Sequence, residues 1–223
     1  MYHMPYTKIR NKRSIRNTFL FWLCFIYIFI IGLFDNGQMR DIMYYVVIAA
    51  IYFSAVLVIA DKNYRFFYIA ITLVLLDVVT KLFDLENFSV VTSLASLLFF
   101  LFVIYKLVVR IASSKIVGAL EFIEAINIYL LFGIIGSVLF RVVYANDPNS
   151  FNYPGETLRE TADFLYFSFV TISTLGYGDI TPNDSFAKSL SIFLSVTGQL
   201  YLAMIIAMLV GKYLSLPKDD KMV

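Results

Sequence analysis

Between Thr171 and Asp179 the chain reads Thr-Ile-Ser-Thr-Leu-Gly-Tyr-Gly-Asp, with two glycines alternating with larger residues. Glycine reaches positive φ without steric cost, so Gly176 and Gly178 permit an extended strand whose successive carbonyls all point to one side. Rings of such oxygens gathered around an axis can replace the water around a dehydrated cation. Thr174, Leu175, Gly176 and Tyr177 are the candidate coordinating residues, with the Thr174 hydroxyl forming the inner end and the Leu175 side chain packing outward. Gly178 and Asp179 set the geometry of the outer end. Tyr166 and Phe167 are placed to brace the strand from behind, and Thr171 supports its start.

Irregular backbone survives at membrane depth only where protein or a water-filled cavity surrounds it, so helices must position this strand. Thr157-Leu158-Arg159-Glu160 fits a capping box and predicts a short helix from about Leu158 to Ile172. That helix is too short to cross the bilayer and reads as re-entrant. Its negatively polarised C-terminus would face a central cavity and favour a cation there. Long apolar runs flank it, Phe122 to Tyr144 before and Ala187 to Leu214 after. The Asn-, Pro- and Gly-rich stretch 146–155 marks an aqueous loop.

Further runs of spanning length lie upstream, at Thr18 to Phe34, Ile42 to Ala60, Phe66 to Phe83 and Val90 to Val109, making six in all. With 60% hydrophobic and 15% charged residues and a mean hydropathy of +0.79, the chain belongs in a lipid bilayer. Lys8, Arg10, Lys12, Arg13 and Arg16 fall on the same side as Lys62, Arg65, Lys106, Arg110, Lys115, Lys212, Lys218 and Lys221. These are thirteen of the eighteen Lys and Arg residues, the bias expected with both termini cytoplasmic and Asp179 outside. The stretch from Gly32 to Gly37 has no small-residue cleavage pattern, so the first run is kept as a span. Short loops join the first four spans into one bundle.

At this point Ser168 to Pro182 resembles the pore loop of the tetrameric potassium channel family, in its six-transmembrane prokaryotic type with a TLGYGD filter. The resemblance runs from about Glu121 to Leu216 and is densest between Asp163 and Pro182; the first four spans match in number alone. It implies an all-α membrane protein of six transmembrane helices plus a re-entrant pore helix and selectivity-filter loop, with K+ as permeant ion and no cofactor. One filter strand cannot close a ring, so a homotetramer is expected, and the two-pore subfamily, with two loops per chain, is set aside. In the family a glycine about nineteen residues beyond the filter Asp lets the inner helix bend, and Gly198 stands there; close packing against a neighbour is the equal alternative.

The expected organisation is a cytoplasmic segment 1–17, a four-helix bundle 18–110, a linker 111–121, a pore domain 122–216 and a cytoplasmic tail 217–223. Glu121 and Glu124 open the fifth span at its positively polarised end. The fourth span carries only Lys106 and Arg110, near its cytoplasmic end, where a voltage sensor would need several charges inside the hydrocarbon, so gating is expected to be weakly voltage-dependent. Asp77 and Lys81 are four residues apart on the third span, with Asp84 on the same face, and are read as a self-neutralising pair, a functional intramembrane acid at Asp77 being the alternative. Glu156, Glu160, Asp163, Asp179 and Asp184 are candidates for acidic rings at the outer mouth, partly offset by Arg159 and Lys188, with a solvated loop charge the favoured reading for all but Asp179. Gln199 and Tyr201 face either the cavity or a neighbouring helix.

The basic residues cluster at span ends, which excludes a nucleic-acid partner. No nucleophile-and-base pair or phosphate loop points to an enzyme, His3 and Cys24 stand alone, and no zinc site is expected. The remaining readings are a non-selective cation channel, or a membrane sensor or scaffold with a vestigial pore. A gating ligand or separate gating subunit is not written in the sequence. Compactness favours a prokaryotic inner membrane.

Overall fold

The structure, a computed structural model, describes residues 6–34, 37–59, 65–83, 86–114, 118–153 and 159–215. Among the described residues seven α-helices follow in chain order: α1 (Tyr6–Phe25), α2 (Gly37–Ile59), α3 (Arg65–Leu82), α4 (Glu86–Ser113), α5 (Ala119–Asn146), α6 (Glu160–Ile172) and α7 (Ser185–Ser215). The α1 helix loosens into a wider turn at Ile26–Ile30 and tightens at Ile31–Leu33 before ending. Five stretches among the described residues are long and apolar enough to cross a membrane: Asn11–Leu33, Gly37–Ile59, Ala95–Ser113, Ala119–Asn146 and Ser185–Lys212. The third expected span corresponds to α3, 18 residues long, with Arg65–Leu76 as its apolar part among the described residues. Asp84 and the side chains of Asp77 and Lys81 lie outside the described residues.

Large apolar side chains stay exposed along the spans, Trp22, Ile42 and Leu98 among them, as a lipid-facing surface requires. Beneath them one buried cluster runs from Leu20 and Ile51 through Ile104 to Ile128, Ile134 and Leu209. The upstream helices and the pore helices therefore share a core, and α5 is its hub, packing on α1, α4, α6 and α7.

Polar contacts pin the end of this core at which α5 starts. Glu124 on α5 is buried and takes a two-pronged ion pair from Arg13 on α1, with the Arg13 Nε bond at 2.6 Å. Asn17 donates to the same carboxylate at 2.9 Å, and Asn127 donates to the Asn17 carbonyl at 2.9 Å. Of the two acids expected at the start of α5, Glu121 does cap it, accepting from the Gly118 N–H at 3.0 Å. Glu124 instead reaches across to α1. Arg110 donates to the carbonyls of Val58 and Ile59 at the end of α2, and Lys212 donates to Ala112 and Ser114 at the end of α4. Both cations satisfy carbonyls that a helix leaves unpaired at its C-terminus.

At the opposite end the chain after α5 makes a short strand, β1 (Phe151–Asn152), antiparallel to β2 (Thr181–Pro182) just beyond the candidate site. Asn183 N–H extends the pairing to the Ser150 carbonyl at 2.7 Å. Phe151 carries this clasp into a second buried cluster with Phe140, Phe164 and Phe167. The stretch 146–155 is thus partly ordered structure, with Pro154 and Gly155 outside the described residues.

Candidate functional site: the pore loop

At 13 residues, α6 is about 20 Å long, short of the roughly 30 Å hydrocarbon layer. It begins two residues later than the sequence suggests, because Asp163 reaches back to the Arg159 N–H at 2.6 Å. Thr157 and Leu158 of the expected capping box lie outside the described residues. Glycines on α5 let α6 come close. A side chain at Gly133 would strike the Phe169 ring, and one at Gly136 would strike Ser168 and Leu194. Ser168 uses the space to donate to the Gly133 carbonyl at 2.6 Å.

The C-terminus of α6 sets the course of the strand. Its last carbonyls take up the amides that follow: Thr171 O accepts from Thr174 N–H at 3.0 Å, and Val170 O accepts from Leu175 N–H at 3.0 Å and Gly176 N–H at 3.4 Å. No described peptide bond is cis. In a trans peptide the carbonyl points opposite to the N–H of the next residue. The carbonyls of Ser173, Thr174 and Leu175 therefore point away from α6.

The backbone then alternates. Thr174, Gly176 and Gly178 have φ of +61°, +58° and +79°, and Leu175 and Tyr177 between them do not share that sign. Alternation of handedness keeps successive carbonyls on one side of an extended strand. Positive φ at the two glycines is the sequence expectation. Positive φ at Thr174 is not, since a β-branched residue there is strained by about 1 to 3 kcal/mol. Local order from α6, through the Thr174 and Leu175 amides, holds it.

Residues Thr174 to Asp179 are all exposed in the single chain, with Leu175 at 59% and Tyr177 at 67%. Their support comes from behind. Tyr166 stacks on Tyr177 with rings 8° from parallel and 6.5 Å apart, and its hydroxyl donates to Asp179 Oδ2 at 2.6 Å. Asp179 Oδ1 accepts from the Ile180 N–H at 3.0 Å. The bond from Tyr166 holds the Asp179 carboxyl below the usual carboxylate range and pushes the Tyr166 hydroxyl up to about 12. Phe167 faces the other way, buried against Phe140 and Phe151. Consecutive helical residues project about 100° apart, so one of the pair reaches the strand and its neighbour anchors the helix. Thr171 contributes its carbonyl.

The inner wall is α7. Gly198 meets the end of α6: a Cβ there would overlap the Ile172 side chain and stand 2.9 Å from its carbonyl oxygen. The close approach explains the glycine without any bend, and α7 runs through it as one helix. Gln199 donates to the Ile172 carbonyl at 3.4 Å, and Tyr201 donates to Ala125 on α5 at 2.8 Å, so both engage neighbouring helices. Among the outer carboxylates, Asp163 and Asp184 cap α6 and α7, while Glu156 and the Glu160 side chain lie outside the described residues. Three contacts had no clear sequence signal: the Thr174 conformation, the β1–β2 clasp and the Glu124 ion pair.

Residues 125–214 match the family model described as "Ion channel", about two fifths of the chain. Over 92 residues the chain is 37% identical to two-pore potassium channel 4 of Arabidopsis thaliana, covering 41% of this chain and 29% of that protein. It is 44% identical over 55 residues to two pore potassium channel c of Oryza sativa subsp. japonica, covering 25% and 12% respectively. It is 30% identical over 92 residues to a voltage-gated potassium channel of Aeropyrum pernix, covering 38% of this chain and 29% of that one. No solved structure matches. The chain spans less than a third of the length of these curated relatives. Two of them carry the two-pore name that the single loop argued against, and the likeness covers one pore-sized segment of each.

Proposed function

We infer that residues 125–214, which match the family model described as "Ion channel", work as the pore region of an all-α membrane protein and not as an enzyme. We propose that the chain is one subunit of a potassium-selective channel in which four copies surround a common axis and K+ passes through stacked carbonyl rings. The supporting observation is the carbonyl row: the amides of Thr174, Leu175 and Gly176 are turned back onto α6, and φ is positive at every second residue from Thr174 to Gly178. Oxygens presented this way replace a hydration shell. The exposure of the whole strand in one chain fits a surface completed by identical neighbours. A non-selective pore would not need the outer end fixed, and here the Tyr166–Tyr177 stack and the bond to Asp179 fix it.

The same reading covers orientation and gating. Both termini are cytoplasmic, so the Asp179 end faces outward. Voltage acts weakly, because moving a charge across the membrane gains about 2.3 kcal/mol per 100 mV and α4 offers little mobile charge. Lys106 sits over the Phe102 ring at 5.3 Å, and Arg110 is fastened to the end of α2. Gly198 serves as the inner-helix hinge only if α7 separates from Ile172 on opening.

The test is purified full-length protein in planar bilayers under opposed potassium and sodium gradients. Current should reverse near the potassium equilibrium potential. A reversal near zero, or no current from protein that is folded, overturns the proposal.

A further inference from the structure

Where the upstream helices meet α5, a cavity of about 320 Å³ is left between them. Tyr27 in the wider turn after α1, Tyr44 and Tyr52 on α2 and Phe100 on α4 line it together with Ile134 and Val138 on α5. Its walls are mainly apolar and aromatic. Tyr27 stands edge-on to Tyr44 with ring centres 5.2 Å apart, and the Tyr52 ring lies against Phe100 at 5.3 Å. No residue from Thr174 to Asp179 lines it.

Two hydroxyls in these walls are left over. Tyr52 Oη and Ser96 Oγ are shut off from solvent and have no hydrogen-bond partner among the described residues. Both residues line the cavity, and they lie close together: Ser96 stands one turn along α4 from Phe100, against whose ring Tyr52 packs. A hydroxyl both donates and accepts, and one kept from water without a partner destabilises the fold until an oxygen is placed against it. Arg141 also lines the cavity but is already engaged, so no charge is called for. A water would meet the hydroxyls and leave the apolar remainder unfilled.

We propose that this cavity binds one uncharged molecule made of an apolar ring and a short chain, with a single hydroxyl that donates to one of Tyr52 and Ser96 and accepts from the other. The aromatic walls suit a ring, which packs edge or face against them. Size follows from the volume: a cavity of about 150 Å³ holds benzene, so this one takes roughly twice as many non-hydrogen atoms, the bulk of a hexylphenol. The occupant touches α2 and α4 on the upstream side and α5 on the pore side, and so ties the two parts together. The inference does not depend on what the pore conducts.

The test is photolabelling of the purified full chain in detergent micelles with a hexylphenol analogue that carries a diazirine in its alkyl chain, followed by peptide mapping. Labels should concentrate on Ile48, Ala49, Tyr52, Leu97 and Phe100. Unlabelled 4-hexylphenol, hexylbenzene and 4-hexylbenzoate then compete, each scored by its mole fraction in the micelle so that partitioning cancels. The phenol should block labelling at about tenfold lower mole fraction than hexylbenzene, the difference that one buried hydrogen bond makes, and the benzoate should do no better than hexylbenzene. Tyr52→Phe with Ser96→Ala removes only unpaired groups, so the variant should fold, keep its labels and bring phenol and hexylbenzene level. Equal competition by phenol and hexylbenzene on the unaltered protein overturns the proposal even if the variant misfolds. So does stronger blocking by the benzoate, labelling that does not saturate or is spread over lipid-facing side chains, or a phenol preference that survives the double substitution.

Discussion

Replacing Gly198 with alanine puts a methyl group into the contact between the inner helix and the end of the pore helix. The added Cβ overlaps Ile172 Cγ1 and lies 2.9 Å from the Ile172 carbonyl oxygen, where ordinary contact begins at about 3.4 Å. Ile172 is fully buried, so its side chain has little room to yield. Overpacking of this kind destabilises by about 1 to 3 kcal/mol per subunit. Ile172→Ala alone should lose about 2 to 4 kcal/mol through the cavity it leaves. In the double variant the new methyl partly fills that cavity and its worst overlap is gone, so the combined loss should fall short of the sum by about 1 kcal/mol or more. Reversible unfolding of the purified protein in mixed micelles, run as a double-mutant cycle, reads this directly. Additivity within about 0.5 kcal/mol would refute the packing account and leave a hinge as the reason for the glycine.

Glu124→Ala should cost about 2 to 4 kcal/mol in the same assay, below the full value for a wholly buried pair because Arg13 keeps 20% of its side chain exposed. Tyr166→Phe removes the main cause of the low Asp179 pKa. A carboxyl depressed in the folded state contributes at higher pH and stops contributing as pH falls through its lowered value, so the variant should lose potassium flux at a higher external pH than the unaltered protein. An acid midpoint that is unchanged, or shifted downward, would contradict the assignment. Lys212→Gln should free the end of α4 and speed amide hydrogen exchange at Ala112 to Ser114 by about tenfold, measured by mass spectrometry.

Much of the site was legible because its chemistry lies in the backbone. Glycine at 176 and 178 and a short helix before them are sequence-level statements, and the structure places both where local physics requires. Thr174 escaped because its strained φ is imposed by the carbonyls of α6, and no propensity of threonine announces it. Glu124 was legible as an acid near a helix start, but its partner is 111 residues away, a pairing no local pattern encodes. Tyr166 and Phe167 were indistinguishable as bracing aromatics until helix phase assigned one to the strand and one to the core.

The same separation matters for how the molecule is made. Arg13 and Asn17 leave the ribosome long before Glu124 exists, and at about 5 to 20 residues per second the interval is roughly five to twenty seconds. During it Arg13 and Asn17 are made without the carboxylate that both bind in the finished fold. The contacts that fasten the first helix to the fifth form only after the fifth has been made. A mutation that delays the fifth helix would then act on the making of the protein, seen as degradation of the nascent chain.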